Sequence, residues 1–175
     1  MLHDLLEQFF RGGEYPAGER TLSPWRPFME ALREHSPSPE AKYAVTETWE
    51  SCDYDHPETY FRGAADLRYK LDDTVYILDW KSGKMYPDHP AQGRAYMAME
   101  EDAERYVTKF VYLDNPGLIS EQQYVKGYRD AERKELSMLI DCINVDTVYE
   151  PTPSQQSCQW CPLSWRKNGG CTRAP

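Results

Sequence analysis

The chain has 175 residues, with 29 acidic against 20 basic side chains and a formal net charge of -9. That length suits one domain with a sizeable core, and the acidic balance excludes attraction to nucleic acid through overall charge, leaving only a local patch to supply it. Hydrophobic residues at 40%, including 13 tyrosines and 5 tryptophans, exclude a disordered chain, and no run is long and apolar enough to span a membrane.

The first residues, Met1 to Glu7, are too polar for a signal peptide. An intracellular, reducing setting is therefore expected, and the five cysteines read as thiols or metal ligands before disulfides. Leu2, Leu5, Leu6, Phe9 and Phe10 form an apolar stripe that predicts a helix to Arg11, stopped by Gly12-Gly13. A loop over 14–24 leads to a second helix, opened by Ser23-Pro24 and running to about His35. Ser36-Pro37-Ser38-Pro39 reads as a break, and Tyr43 to Glu50 as a strand. After a polar loop over 51–58 come two β-type runs, Phe61–Tyr69 and Val75–Lys81, around the polar stretch Lys70–Thr74. A loop over 82–88 precedes a helix over 89–104. Tyr106–Leu113 is strongly β-prone, Asn115-Pro116-Gly117 is a turn, and Leu118–Tyr128 reads as another strand. Asp130 to about Val145 is an amphipathic helix. Pro151–Pro175 is rich in proline, glycine and cysteine, with almost no regular pattern. This order predicts an α/β (α+β mixed) fold, a central mixed β-sheet flanked by helices, with 1–150 as one domain and 151–175 as a Cys-rich tail.

Twelve residues separate Asp66 from Asp79-Trp80-Lys81. Strand side chains alternate faces, so Asp79 and Lys81 share a face with Val75 and Ile77. With Asp72-Asp73 at the centre of a tight hairpin, Asp66 falls opposite Asp79. Opposed side chains sit about 4.5–5.5 Å apart at Cβ, where like charges repel unless a cation lies between them. Two carboxylates and a lysine on one patch therefore describe a hard-metal site with a positive charge built in. A lone Asp-x-Lys is more often a solvated strand end with a surface ion pair.

The wider pattern, Gly63-x-x-Asp66, then Asp79-x-Lys81-Ser82-Gly83, then Gln92-x-x-x-Tyr96, resembles the PD-(D/E)xK nuclease superfamily. Within it, the pattern is most similar to the RecB-type exonuclease branch, which includes the nuclease domains of RecB and AddB, CRISPR-associated adaptation nucleases and phage exonucleases. His3 and Glu7, four apart on one helix face, match the branch's His-x-x-x-Glu helix. Many relatives carry a cysteine-bearing stretch ahead of that helix, so a shortened version or a different start is expected here. The resemblance implies a restriction-endonuclease-like core and a metal-dependent deoxyribonuclease. Asp66, Asp79 and Lys81 would be catalytic, and Gln92 and Tyr96 would line the path of the DNA. Mg²⁺ or Mn²⁺ would be held by His3, Asp66, Asp79 and the carbonyl of Trp80. Arg62, Arg68, Lys70, Lys84 and Arg94 would supply a positive path for DNA.

Cys158, Cys161 and Cys171 resemble the C-terminal cysteines that hold a [4Fe–4S] cluster in some members of the branch. Cys52 and Cys142 are the remaining candidates for a fourth ligand, although both read first as small buried hydrophobes. Zn²⁺ with His35 or His56 is the competing centre. Expected partners are DNA, as single strands or duplex ends, and replication or recombination proteins. An exonuclease is the first reading. A structure-specific endonuclease, a trimming nuclease of the CRISPR-adaptation type and a non-catalytic DNA-binding subunit stay open. Glu47 reads as solvent-facing, and Trp25, Trp49 and Trp80 as core.

Overall fold

In the computed structural model, residues 2–145 are described, and all statements below concern them. The chain divides into two units, Met1–Met138 and Leu139–Pro175. The elements are α1 (Leu2–Phe10), a 3₁₀ turn (Ser23–Trp25), α2 (Arg26–Arg33), β1 (Ser38–Val45), β2 (Phe61–Leu71), β3 (Thr74–Lys81), α3 (His89–Met99), β4 (Arg105–Tyr112), β5 (Ile119–Val125) and α4 (Lys126–Val145). The five strands form one mixed sheet in the order β1-β2-β3-β4-β5. Only β3 and β4 run parallel, joined through α3 as a parallel pair requires. Among the described residues no helix is long and apolar enough to cross a membrane.

Each face of the sheet buries its own apolar cluster. Leu6, Phe9 and Phe10 of α1 join Trp25, Met29 and Leu32 against Leu67, Tyr69, Leu78 and Trp80. On the other face Tyr96, Met97 and Met99 of α3 pack on Ala65, Val75, Ile77 and Tyr106. Side chains buried this completely each contribute about 1.5–3 kcal/mol through area removed from water. Trp25 and Trp80 are core, as expected, and Trp49 is half-buried, its indole Nε1 donating to Ser137 Oγ at 3.0 Å.

The first strand differs from expectation: it spans Ser38–Val45, not Tyr43–Glu50. The prolines suggested a break, but β1 is an edge strand, where a proline without an N–H costs no ladder bond on the open side. Pro39 pairs with Leu67, and the chain turns back at Thr46–Trp49. Helix α3 stops at Met99 instead of 104, because Glu100 is extended. Helix α4 begins at Lys126, so the last strand is shorter than its apolar residues suggested.

Gly93 sets how closely α3 lies on the sheet. A Cβ there would sit 2.8 Å from Thr108 Oγ1, 3.0 Å from Thr108 Cβ and 3.2 Å from the Phe110 ring. The missing side chain lets the helix settle onto β4, which fixes the height of Gln92 and Tyr96 above β3. Gly93→Ala should therefore cost about 1–3 kcal/mol, the usual penalty for overpacking. Urea denaturation measures it; an unchanged midpoint would show that the close approach is not required.

Candidate active site

The register expected between β2 and β3 is observed from Leu71–Thr74 to Leu67–Leu78, around the two-residue turn Asp72-Asp73. Asp72 takes a positive φ of 52°, which aspartate tolerates in turns. The ladder ends one step before Asp66 and Asp79. The β1–β2 ladder also skips this position, passing from Pro39–Leu67 to Ala41–Ala65. Opposite the gap stands Glu40, with φ 51°. Residues 63 and 65 face α3 whereas 67 and 69 face α1 and α2, so the alternation of β2 inverts at Asp66. The expected simple pairing of Asp66 with Asp79 is thereby corrected. Asp66 leaves the ladder, and its side chain takes a backbone donor: the Trp80 N–H donates to Asp66 Oδ2 at 2.6 Å.

Asp79 and Lys81 project toward α3, as the alternation of β3 predicts. Lys81 Nζ lies 2.6 Å from Asp79 Oδ1 and donates to Gln92 Oε1 at 2.7 Å. Gln92 Nε2 donates to Asp79 Oδ2 at 3.0 Å and to the Tyr96 hydroxyl oxygen at 2.7 Å. The Tyr96 hydroxyl donates to the Ala64 carbonyl at 2.6 Å. One amide thus orients both the carboxylate and the ammonium, and one tyrosine orients the amide. Gly63 makes room for this: a Cβ there would come within 3.1 Å of the Tyr96 ring and of Met99 Cε. Tyr96 is only 7% exposed, which makes it a brace for Asp79 more than a wall of a DNA path.

His3, on the first turn of α1, reaches the same spot from the opposite layer, its Nδ1 3.1 Å from Asp66 Oδ1. That hydrogen bond raises the His3 imidazole above its ordinary value, against the opposing effect of burial. Burial raises the Asp79 carboxyl, the neighbouring Asp66 charge raises it further, and Lys81 and His3 partly offset both. Burial and the Asp79 charge also hold the Tyr96 hydroxyl well above its usual range, so it stays a neutral donor.

Glu40 was not singled out from the sequence. Its carboxyl is raised by burial and then by the charges of Asp66 and Glu7. Its position across from Asp66 follows from the true start of β1, which the prolines concealed. Glu47 is exposed in the turn after β1, away from these groups. The expected basic path is largely neutralised. Arg62 pairs with Asp55, Arg68 with Glu100 and Glu101, Lys70 with Glu101, and Arg94 with Glu132. Among the described residues no ion pair involves Lys84. Cys142 is exposed and Cys52 half-buried, so neither is the fully buried hydrophobe anticipated. His35 stacks on Tyr69 with centroids 5.0 Å apart, and His56 Nδ1 accepts from the Glu58 N–H. Cys158, Cys161 and Cys171 lie outside the described residues.

Among the described residues no three His, Cys, Asp or Glu side chains converge closely enough to hold a metal ion. The donor chemistry nonetheless suits a hard divalent cation. Two carboxylates repel each other across a partly buried gap, and Asp66 Oδ1, Asp66 Oδ2 and Asp79 Oδ1, each with one partner, can accept again. The positive charge at Asp79 is supplied by Lys81.

Residues 5–166 match the PD-(D/E)XK nuclease superfamily. The chain belongs to this superfamily. Asp66 stands at the break in β2 and Asp79-Trp80-Lys81 at the end of β3, two neighbouring strands of the mixed five-stranded sheet. Twelve chains of solved structures match significantly. One, described as the crystal structure of SSO0001, aligns at 12% identity and a TM-score of 0.44, over 86% of this chain and 67% of that one. No curated protein matches significantly.

The raised carboxyl of Asp79 has a consequence for stability. Its folded value lies above its unfolded value. The contribution is therefore fully present below the ordinary aspartate range and is lost as pH rises through the folded value. At neutral pH ionised Asp79 opposes folding, and Asp79→Asn should raise the melting temperature while flattening its dependence on pH in the acidic range. Thermal melts at several pH values test this; a lower melting temperature at neutral pH would contradict it.

Proposed function

We propose that this PD-(D/E)XK protein is a metal-dependent deoxyribonuclease. In this reading it is an exonuclease of the RecB-like type, hydrolysing phosphodiester bonds in DNA replication, recombination or repair. The observation that carries the reading is that Gln92 holds both Lys81 and Asp79, with Asp66 near enough for its charge to raise the Asp79 carboxyl. The placement of His3 against Asp66 supports the RecB-like branch, whose additional helix histidine it matches.

Mg²⁺ or Mn²⁺ would be held by Asp66, Asp79, the Trp80 carbonyl and His3, and when bound would lower the pKa of a water and offset charge on the phosphate. The protein's own groups do the rest. Lys81 has three N–H donors, of which Asp79 and Gln92 engage two. The third is free to meet a non-bridging phosphate oxygen, where charge grows as water adds to phosphorus and the bond to the leaving oxygen breaks. Gln92 and Tyr96 keep that ammonium from swinging away. The Trp80 N–H and His3 hold Asp66 in place, so little reorganisation is needed when substrate arrives.

Lys81→Ala should lower cleavage about 10²–10³-fold while DNA binding persists. The assay uses 5′- and 3′-labelled single- and double-stranded DNA; chelation should stop cleavage, and Mg²⁺ or Mn²⁺ restore it. Circular single-stranded DNA should survive if the enzyme is an exonuclease. Cutting by Lys81→Ala at the wild-type rate would sink the mechanism.

We further propose that Cys158, Cys161 and Cys171 hold a structural centre, a [4Fe–4S] cluster or Zn²⁺, in a tail over 151–175. Cys158→Ser should lower stability through loss of that centre. Metal analysis and visible absorption of protein purified without oxygen decide: a colourless, metal-free, equally stable protein would remove the proposal.

A further inference from the structure

Beside Lys81 the surface changes character. The loop after β3 exposes Met85 and Tyr86, 53% and 52% accessible, where polar side chains would be ordinary. Together with Pro87, Pro90, Tyr112 and Ser120 they line an apolar cleft of about 320 Å³. One wall of the cleft, Tyr112, adjoins the candidate active site. Tyr112 is the strand neighbour of Lys81 in the parallel β3–β4 pair. Lys81 Nζ lies over the Phe110 ring, 5.6 Å from its centroid. The His89 ring stacks on both Phe110 and Tyr112 at 5.7 Å, and Tyr86 meets His89 edge-on at 5.5 Å.

The loop that carries Tyr86 is anchored, not loose. The Gly83 N–H donates to Asp114 Oδ2 at 2.6 Å, and Gly83 takes a φ of 93° that favours glycine. The His89 N–H closes the turn on the Tyr86 carbonyl at 3.3 Å, and His89 Nδ1 is held 2.7 Å from the Tyr112 hydroxyl. A flat aromatic side chain is therefore held in the open, next to an ammonium that faces a phosphate in the proposed reaction.

We infer that this cleft is a nucleobase slot: an unpaired base of the strand whose phosphate meets Lys81 stacks on Tyr86. The inference rests on the nuclease reading above and deepens it. Charge names the occupant. Lys84, exposed and in no ion pair among the described residues, directly precedes Met85 and Tyr86 in the chain, so an uncompensated positive charge is carried next to the apolar, aromatic wall. That combination suits single-stranded nucleic acid, whose bases stack on aromatic rings regardless of sequence while the backbone seeks cations. A slot for one splayed base also implies that the strand is single-stranded, or frayed, where it is cut.

The test moves an abasic nucleotide one position at a time along a single-stranded substrate. Wild-type cleavage should fall about 5- to 150-fold in kcat/KM at one position near the cut, the range expected for one lost stack. Tyr86→Ala should cleave the intact substrate as poorly as wild type cleaves that abasic one, with no further loss on the abasic substrate, and Tyr86→Phe should behave as wild type. A cleavage-independent arm places 2-aminopurine at the same position with Lys81→Ala protein. Its fluorescence should be quenched on binding, and the quenching lost in the Lys81→Ala/Tyr86→Ala double variant. Circular dichroism checks that each variant is folded. Efficient wild-type cleavage with a flat abasic profile would overturn the slot and leave the nuclease reading standing. Quenching without any wild-type cleavage would support the slot and overturn the nuclease reading. Should Tyr86→Ala instead convert a dimer to a monomer in sedimentation while the abasic profile stays unchanged, a second copy covers the cleft and the inference is wrong.

Discussion

Two carboxylates that repel each other are held together on the inner strands β2 and β3 of this sheet, and much of the surrounding structure holds them there. Asp79 is 6% exposed, and both its burial and the Asp66 charge oppose its ionisation. The compensation comes from three layers. Lys81 answers from the same strand, Gln92 and Tyr96 from the helix above, and His3 and the Trp80 N–H answer Asp66 from the helix and strand below. No single element supplies the site, so its geometry is only as good as the packing between layers. Such an arrangement stores an unfavourable interaction where a cation or a substrate can relieve it, a trade of stability for function that active sites commonly show.

The packing that serves this purpose is concentrated at two glycines. Gly63 admits the Tyr96 ring onto β2, and Gly93 lets α3 settle onto β4. Both act through an absent Cβ and not through a special backbone angle. Their combined effect sets the short chain of hydrogen bonds from the Ala64 carbonyl through Tyr96 and Gln92 to Asp79 and Lys81. The strand break at Asp66 is the counterpart on the other side. With neither ladder using that residue, its carboxylate is free to turn toward His3 while still capping the Trp80 N–H.

What could be read from the sequence and what could not follows the same division. The hairpin, the face shared by Asp79 and Lys81, the i, i+4 pair Gln92 and Tyr96, and the mixed sheet all rest on local periodicity and turn chemistry, which a sequence displays directly. His3 was legible only as part of a pattern, since nothing local ties a helix at the start of the chain to residue 66. Glu40 was missed because Pro37 and Pro39 resemble a loop unless the strand is known to be an edge. The inversion of alternation at Asp66 was invisible for a related reason: it depends on Glu40 taking a positive φ in a neighbouring strand. The supposed basic path failed on contacts across elements, because the partners Glu100, Glu101 and Glu132 lie 31 to 38 residues away in the chain.

That last failure bears on how an acidic protein of net charge -9 would engage DNA in the proposed reaction. Arg62, Arg68, Lys70 and Arg94 each face a carboxylate, so these four offer little net charge with which to displace counterions from a phosphate backbone. Beside the candidate site, attraction would then rest on the ammonium of Lys81, any cation between Asp66 and Asp79, Lys84, and contacts that carry no charge. Aromatic stacking is the uncharged contact best suited to nucleic acid, because every base offers a face to it. An exposed tyrosine on an anchored loop beside Lys81 is therefore what the proposed nuclease, acidic overall, would need. It would hold the strand through its bases at the one place where the phosphate must be positioned.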